Sequence, residues 1–166
     1  MIDLNIPYFS QLDNALNPYG SCNVTSIAMC LYFLGIRGNG QGQLEDQLYR
    51  QMESMGLSRH SPYDLAQLVR QYRRKDNFDP TATWQSVKDW LMQKKPIVVH
   101  GYFTNFGHII VIRGFNDKGF IVNDPYGEFW ASGYDNNASG AGLTYSYDLM
   151  RDRCGHDGDL WIHFIS

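Results

Sequence analysis

This chain has no excess of positive charge. Fourteen Lys and Arg are set against seventeen Asp and Glu, for a net charge of −3. That excludes the basic footprint by which a nucleic-acid binder announces itself, so no nucleic acid is expected as a partner. The one basic cluster, Arg70, Arg73, Arg74 and Lys75, falls at the end of a predicted helix and reads as a solvated last turn matched to the helix dipole. Cysteine is also scarce. Three cysteines cannot all pair, which excludes a disulfide framework and points to a reducing compartment at synthesis. No apolar run approaches the ~20 residues of a membrane span, so no transmembrane segment is expected. Met1-Ile2-Asp3-Leu4-Asn5 has neither the basic region nor the apolar core of a signal peptide, and the expected place of synthesis is the cytoplasm. No spacing matches a calcium loop, and neither a metal nor any other cofactor is expected. No repeat, low-complexity tract or linker divides the chain.

What remains is an ordinary globular composition. The 166 residues are 43% hydrophobic and 19% charged, which argues against disorder. The expectation is one domain over residues 1–166. A domain of that size buries roughly 68–70% of its unfolded surface and needs no staples. Eleven Tyr and four Trp suit either a core or a groove for peptide or sugar.

The pattern changes halfway along. Ile6-Pro7-Tyr8-Phe9 reads as a short extended edge segment, followed by a polar loop from Ser10 to Ser21. A helix is predicted from Cys22 to Leu34, with Val24, Ile27, Ala28, Leu31 and Leu34 on one face and Gly35 as its stop. A second spans Gln43 to Met55. Ser61-Pro62 opens a third, and Thr83 caps a fourth that runs through Leu91. Beyond it, Pro96–Tyr102, His108–Phe115, Gly119–Asn123 and Leu160–Ile165 are Val- and Ile-rich strands. Asn116-Asp117-Lys118-Gly119 is a hairpin signal between two of them. Residues 127–142, rich in Gly, Asn and Ser, read as a long surface loop. Helices first and an antiparallel sheet second define an α+β fold.

Cys22 stands where the polar loop meets the first helix. Amides at a helix start and the dipole favour a thiolate, the form that attacks carbonyls. The alternative is a buried cysteine acting as a small hydrophobe. Cys30, mid-helix among apolar neighbours, fits that alternative better, and Cys154 has no functional company. His108 follows Gly107 at the head of an apolar strand, which leaves its ring accessible from the strand end. His100 and His163 read as structural, and His60 and His156 as loop residues without a partner. Asn123-Asp124-Pro125 ends the next strand, either as a turn signal alone or as the carrier of an orienting carboxylate. In an antiparallel hairpin, the start of one strand and the end of the next share one edge of the ribbon, which brings His108 and Asp124 together. Gln11 is either a solvated loop residue or a donor to an oxyanion, with the Cys22 backbone N–H as the second donor. Tyr126, Trp130 and Tyr134 are candidate walls of a substrate groove.

Tyr8-Phe9-Ser10-Gln11, Gly20-Ser21-Cys22-Asn23-Val24-Thr25-Ser26, Pro96-Ile97-Val98-Val99, Gly107-His108-Ile109-Ile110-Val111-Ile112 and Asn123-Asp124-Pro125-Tyr126-Gly127 together cover nearly the whole chain. In order and spacing they resemble the papain-fold cysteine peptidases of the double-glycine leader, bacteriocin-processing type, and more narrowly their stand-alone bacterial and phage relatives. The family's frequent Cys-Gly-Pro is Cys22-Asn23-Val24 here. The resemblance implies a Cys22–His108–Asp124 triad with Gln11 completing an oxyanion hole. It also implies a thioester intermediate without a cofactor. Three functions follow as expectations: a peptidoglycan-cleaving, endolysin-like enzyme, a leader-processing protease, or an inactive binding module using the same groove. A phage-encoded lysis enzyme would reach the cell wall on lysis. Replacing water by an amine would make the same chemistry a transferase.

Overall fold

A computed structural model describes residues 1–166. Its elements run in chain order as β1 (Ile2–Asp3), α1 (Cys22–Phe33), α2 (Leu44–Ser54), α3 (Pro62–Gln71), β2 (Asp76–Asp79), α4 (Trp84–Met92), β3 (Ile97–Gly101), β4 (His108–Phe115), β5 (Gly119–Asn123), β6 (Glu128–Trp130), β7 (Gly133–Asp135), β8 (Leu143–Ser146), α5 (Tyr147–Arg153) and β9 (Ile162–Ile165). The main sheet has the order β2-β9-β3-β4-β5-β8, with β1 added against β4. Its pairings are antiparallel. The fold is therefore α+β, with most helices preceding the sheet they cover.

The local signals act as the sequence dictates. Ser61 Oγ accepts from Asp64 N and caps α3, with Pro62 in its first turn. Thr83 and Ser86 form a reciprocal capping box at the start of α4. Gly35, with φ +99°, follows the end of α1, a conformation that favours glycine.

Helix α1 differs from its predicted one-sided face. Every residue from Asn23 to Leu31 is buried, because the helix lies between β3 and β4 on one side and α2 and α3 on the other. Its polar side chains are consequently satisfied inside. Thr25 Oγ1 donates to Ser21 O at 2.7 Å, and Ser26 Oγ donates to Ile109 O at 3.0 Å, tying α1 to β4. One core of 33 buried residues runs between α1 and the sheet.

Several segments depart from the sequence reading, among them β1, β8 and α5, which it did not predict. Ile6–Phe9 forms no strand, and the side chain of Asn123 holds it, donating to Ile6 O and Pro7 O at 3.2 Å each. The expected loop at 127–142 contains the β6–β7 hairpin. The polar Asp76–Asp79 pairs with β9 although it shows no apolar alternation, since the partner strand supplies the register. No helix is long and apolar enough to cross a membrane.

Candidate active site

Cys22 is the first residue of α1, and it is partly exposed. The residue before it, Ser21, makes no side-chain cap. Its hydroxyl is engaged instead with the Asn14 amide, 2.9 Å away, which also lies 2.9 Å from Thr25 Oγ1. Among the first-turn amides of α1, Val24 N donates instead to Asn23 Oδ1 at 2.8 Å. Arg59 steadies the preceding loop: Nη1 donates to Gly20 O at 3.1 Å and Nη2 to Tyr49 Oη at 3.0 Å, with the guanidinium lying over the Tyr49 ring. The other two cysteines are buried, and burial pushes both of their thiols up, which keeps them protonated and inert.

His108 opens β4 after a tight turn. Gly107 has φ +86°, and the Thr104 hydroxyl donates to its carbonyl at 2.8 Å. The imidazole is buried between the rings of Phe103, Tyr126 and Tyr134. Its Nε2 lies 2.8 Å from Asp124 Oδ1. Nδ1 is then the nitrogen left for Cys22, which lies near enough to help hold the ring's pKa up. Burial by itself would lower the imidazolium's pKa from 6.5. The charge and hydrogen bond of Asp124, and then Cys22, override it and hold the ring up to about 10. The ring is thus kept as a proton donor at neutral pH.

Asp124 is fully buried and satisfied by four donors. Oδ1 takes His108 Nε2 and Tyr126 N, the latter at 3.0 Å. Oδ2 takes Tyr134 Oη at 2.9 Å and Tyr145 Oη at 2.7 Å. Its backbone is fixed as well: Asp124 N donates to Gly140 O at 2.8 Å, and Tyr8 Oη donates to Asp124 O at 2.9 Å. A charge out of water needs such a shell. The same shell holds the phenols of Tyr134 and Tyr145 protonated, since burial and then the neighbouring carboxylate push both up.

Gln11 is buried beside this group. Its Nε2 donates to Pro18 O at 2.9 Å, and its Oε1 has no partner. The amide has two N–H bonds and one acceptor, so one donor remains to be met. Gln11, Cys22 and His108 line a common cleft of about 620 Å³, with Tyr19, Tyr126 and the fully exposed Phe106 among its walls. Of the three aromatics expected to wall a groove, the structure places only Tyr126 on this cleft. Trp130, on β6, is exposed away from it, and Tyr134 turns its hydroxyl to Asp124. Tyr8, Tyr145 and Gly140 were not found from the sequence, where they carry no local signal. No cluster of three or more His, Cys, Asp or Glu side chains is placed to hold a metal ion.

Fold and cleft together define a papain-like cysteine peptidase. The chain belongs to the family described as "Peptidase_C39 like family", whose model matches residues 3–154. Among solved structures, a protein from Bacillus anthracis described as a C39-like peptidase shares 15% identity. It has a TM-score of 0.66, over 100% of this chain and 98% of that one. A double glycine motif protease from an AMS/PCAT transporter, solved with its leader peptide, shares 18% identity. Its TM-score is 0.59, over 99% of this chain and 94% of that one. At those identities the likeness is one of fold. No curated protein sequence matches the chain.

Proposed function

We propose that this cysteine peptidase cleaves a protein or peptide substrate with Cys22 as nucleophile, His108 as acid and base, Asp124 as orienting carboxylate and Gln11 as oxyanion donor. The observation that carries the reading is the placement of His108. One ring nitrogen is fixed by a buried carboxylate, and the other faces a partly exposed cysteine at a helix start.

The Cys22 sulfur forms a bond to the substrate carbonyl carbon, and the carbonyl π electrons move to oxygen. The Cys22 backbone N–H and the remaining Gln11 Nε2–H stabilise that oxyanion. As it collapses, the C–N bond breaks and His108 gives its proton to the departing amine. A water, deprotonated by His108, then attacks the thioester carbon and releases the acid and the Cys22 thiolate. Asp124 stays ionised throughout, holding the ring by Nε2 so that Nδ1 does the transfer.

For the substrate, the fold neighbour captured with a double-glycine leader peptide supports processing of a peptide at a pair of small residues. Nothing in the cleft or among the structural neighbours favours peptidoglycan. The test is a fluorescence-quenched peptide with an internal Gly-Gly, run beside purified peptidoglycan with the products identified by mass spectrometry. Cleavage after Gly-Gly, abolished in Cys22→Ala, supports the processing reading. Release of stem peptides from the wall alone would overturn it in favour of a lysis enzyme. Cleavage surviving in Cys22→Ala would overturn the mechanism.

A further inference from the structure

A second histidine reaches the same cleft, and the proposed chemistry does not use it. His100, on β3, is a wall residue of the cleft beside Trp161. Its Nε2 lies 2.8 Å from Nε2 of His163 on β9. Nδ1 of His163 in turn lies 2.9 and 3.0 Å from the two carboxylate oxygens of Asp76 on β2. The side chains of His163 and Asp76 are fully inaccessible. Three neighbouring strands thus carry one hydrogen-bonded row, Asp76–His163–His100, from the interior to the cleft.

His163 Nδ1 is the only side-chain partner of the Asp76 oxygens, so it is the nitrogen that donates to them. The Nε2···Nε2 contact needs one donor and one acceptor. With His163 donating, His100 Nε2 accepts and the single proton of neutral His100 sits on Nδ1. The protein uses Nε2 and offers no acceptor to Nδ1. Burial, and then the neighbouring His163, hold the His100 ring well down, at about 3, so this ring is neutral. The pairing rings are stacked and edged by Phe78, so His100 does not rotate freely.

We propose that His100 is a substrate-binding residue that donates its Nδ1 proton to a backbone carbonyl of the bound peptide, with His163 and Asp76 as positioning residues that fix this tautomer. A neutral donor suits a neutral amide oxygen. The geometry resembles the His108–Asp124 pair but lacks a nucleophile, so it serves binding rather than bond cleavage. This inference rests on the cleft being a peptide groove.

Two measurements test it. Nitrogen-15 NMR of the histidine rings in the wild-type protein should show His100 protonated at Nδ1 and His163 at both nitrogens. A His100 protonated at Nε2 would overturn the proposal whatever the substrate. With the Gly-Gly peptide, His100→Phe should raise KM about tenfold with kcat within about twofold, the signature of a lost binding hydrogen bond. His100→Gln, which can accept from His163 and still donate, should restore most of that loss. Asp76→Asn removes the carboxylate that orients His163, so KM should rise with His100 still in place. An unchanged KM in His100→Phe, while Cys22→Ala is inactive, would sink the His100 proposal and leave the peptidase reading standing. Persistent cleavage in Cys22→Ala would instead sink the peptidase reading.

Discussion

Nε2 of His108 lies 2.8 Å from Oδ1 of an Asp124 whose side chain water does not reach. This contact fixes which imidazole nitrogen faces Cys22, and it sets the direction of the ring's pKa.

Asp124→Asn should lower kcat/KM by roughly 10²–10⁴-fold, because the amide neither holds the ring's charge nor compels its tautomer. The pH profile supplies the sign. His108 is held up to about 10 chiefly against its own burial, so wild-type activity should have its alkaline limb near there. Without the carboxylate, only Cys22 is left to oppose burial, and that limb should move to lower pH. A profile that does not move would show that Asp124 does not set the protonation of His108.

The same pair contributes to stability. The folded-state value of His108 is raised, so its contribution is complete below the ordinary 6.5 and is lost as pH climbs towards about 10. Urea unfolding of the wild type at pH 6, 8 and 10 should show this decline, and Asp124→Asn should flatten it.

Tyr134→Phe and Tyr145→Phe each remove one donor to Oδ2 of Asp124. Each should cost about 1.5–3 kcal/mol by urea unfolding, as expected for a hydrogen bond to a buried charge. Tyr145→Phe should be the worse, since that hydroxyl also accepts from Phe129 N at 3.0 Å. The double variant should be non-additive, because both phenols share one oxygen.

Iodoacetamide at neutral pH should label Cys22 first. Cys30 and Cys154 are buried with their thiols pushed up, so mass spectrometry of a timed reaction should find them modified only on unfolding. Equal rates at the three sites would contradict this.

Gly140 is constrained by approach rather than by conformation. A Cβ there would stand 1.8 Å from Asp124 O and 2.8 Å from Tyr8 Oη. Gly140→Ala should therefore displace the carboxylate, costing about 3 kcal/mol in stability and most of the activity. Ala at Gly40, which meets nothing within 4 Å, is a control for the substitution, apart from the strain of its positive φ.

The legible part of the fold was the locally encoded part. Ser61-Pro62 and Thr83 mark helix starts through their own side chains, and the β4–β5 hairpin follows from Val- and Ile-rich runs around Asn116–Gly119. Asp76–Asp79, Leu143–Ser146 and Tyr147–Arg153 were not foreseen. The first is polar, and the other two are short elements whose order comes from β5 and its neighbours. At the cleft, Cys22 and His108 were visible as residues at element ends. Tyr134 was visible as an aromatic but was assigned to the groove. Its actual direction depends on the β6–β7 hairpin folding back over Asp124.

The sequence by itself determined the chemistry-bearing groups and their local settings. It sets a thiol at a helix start, a histidine after a glycine that needs positive φ, and a carboxylate where Pro125 ends a strand. Each depends on a few neighbouring residues. Only the tertiary structure decided what surrounds them. Tyr8 reaches Asp124 across 116 positions of chain, and His163 reaches Asp76 across 87. Such contacts arise from strand order and burial, which no short window of residues contains. Once the sheet has closed, a buried carboxylate must find donors, and those donors fix the ring of His108 beside Cys22.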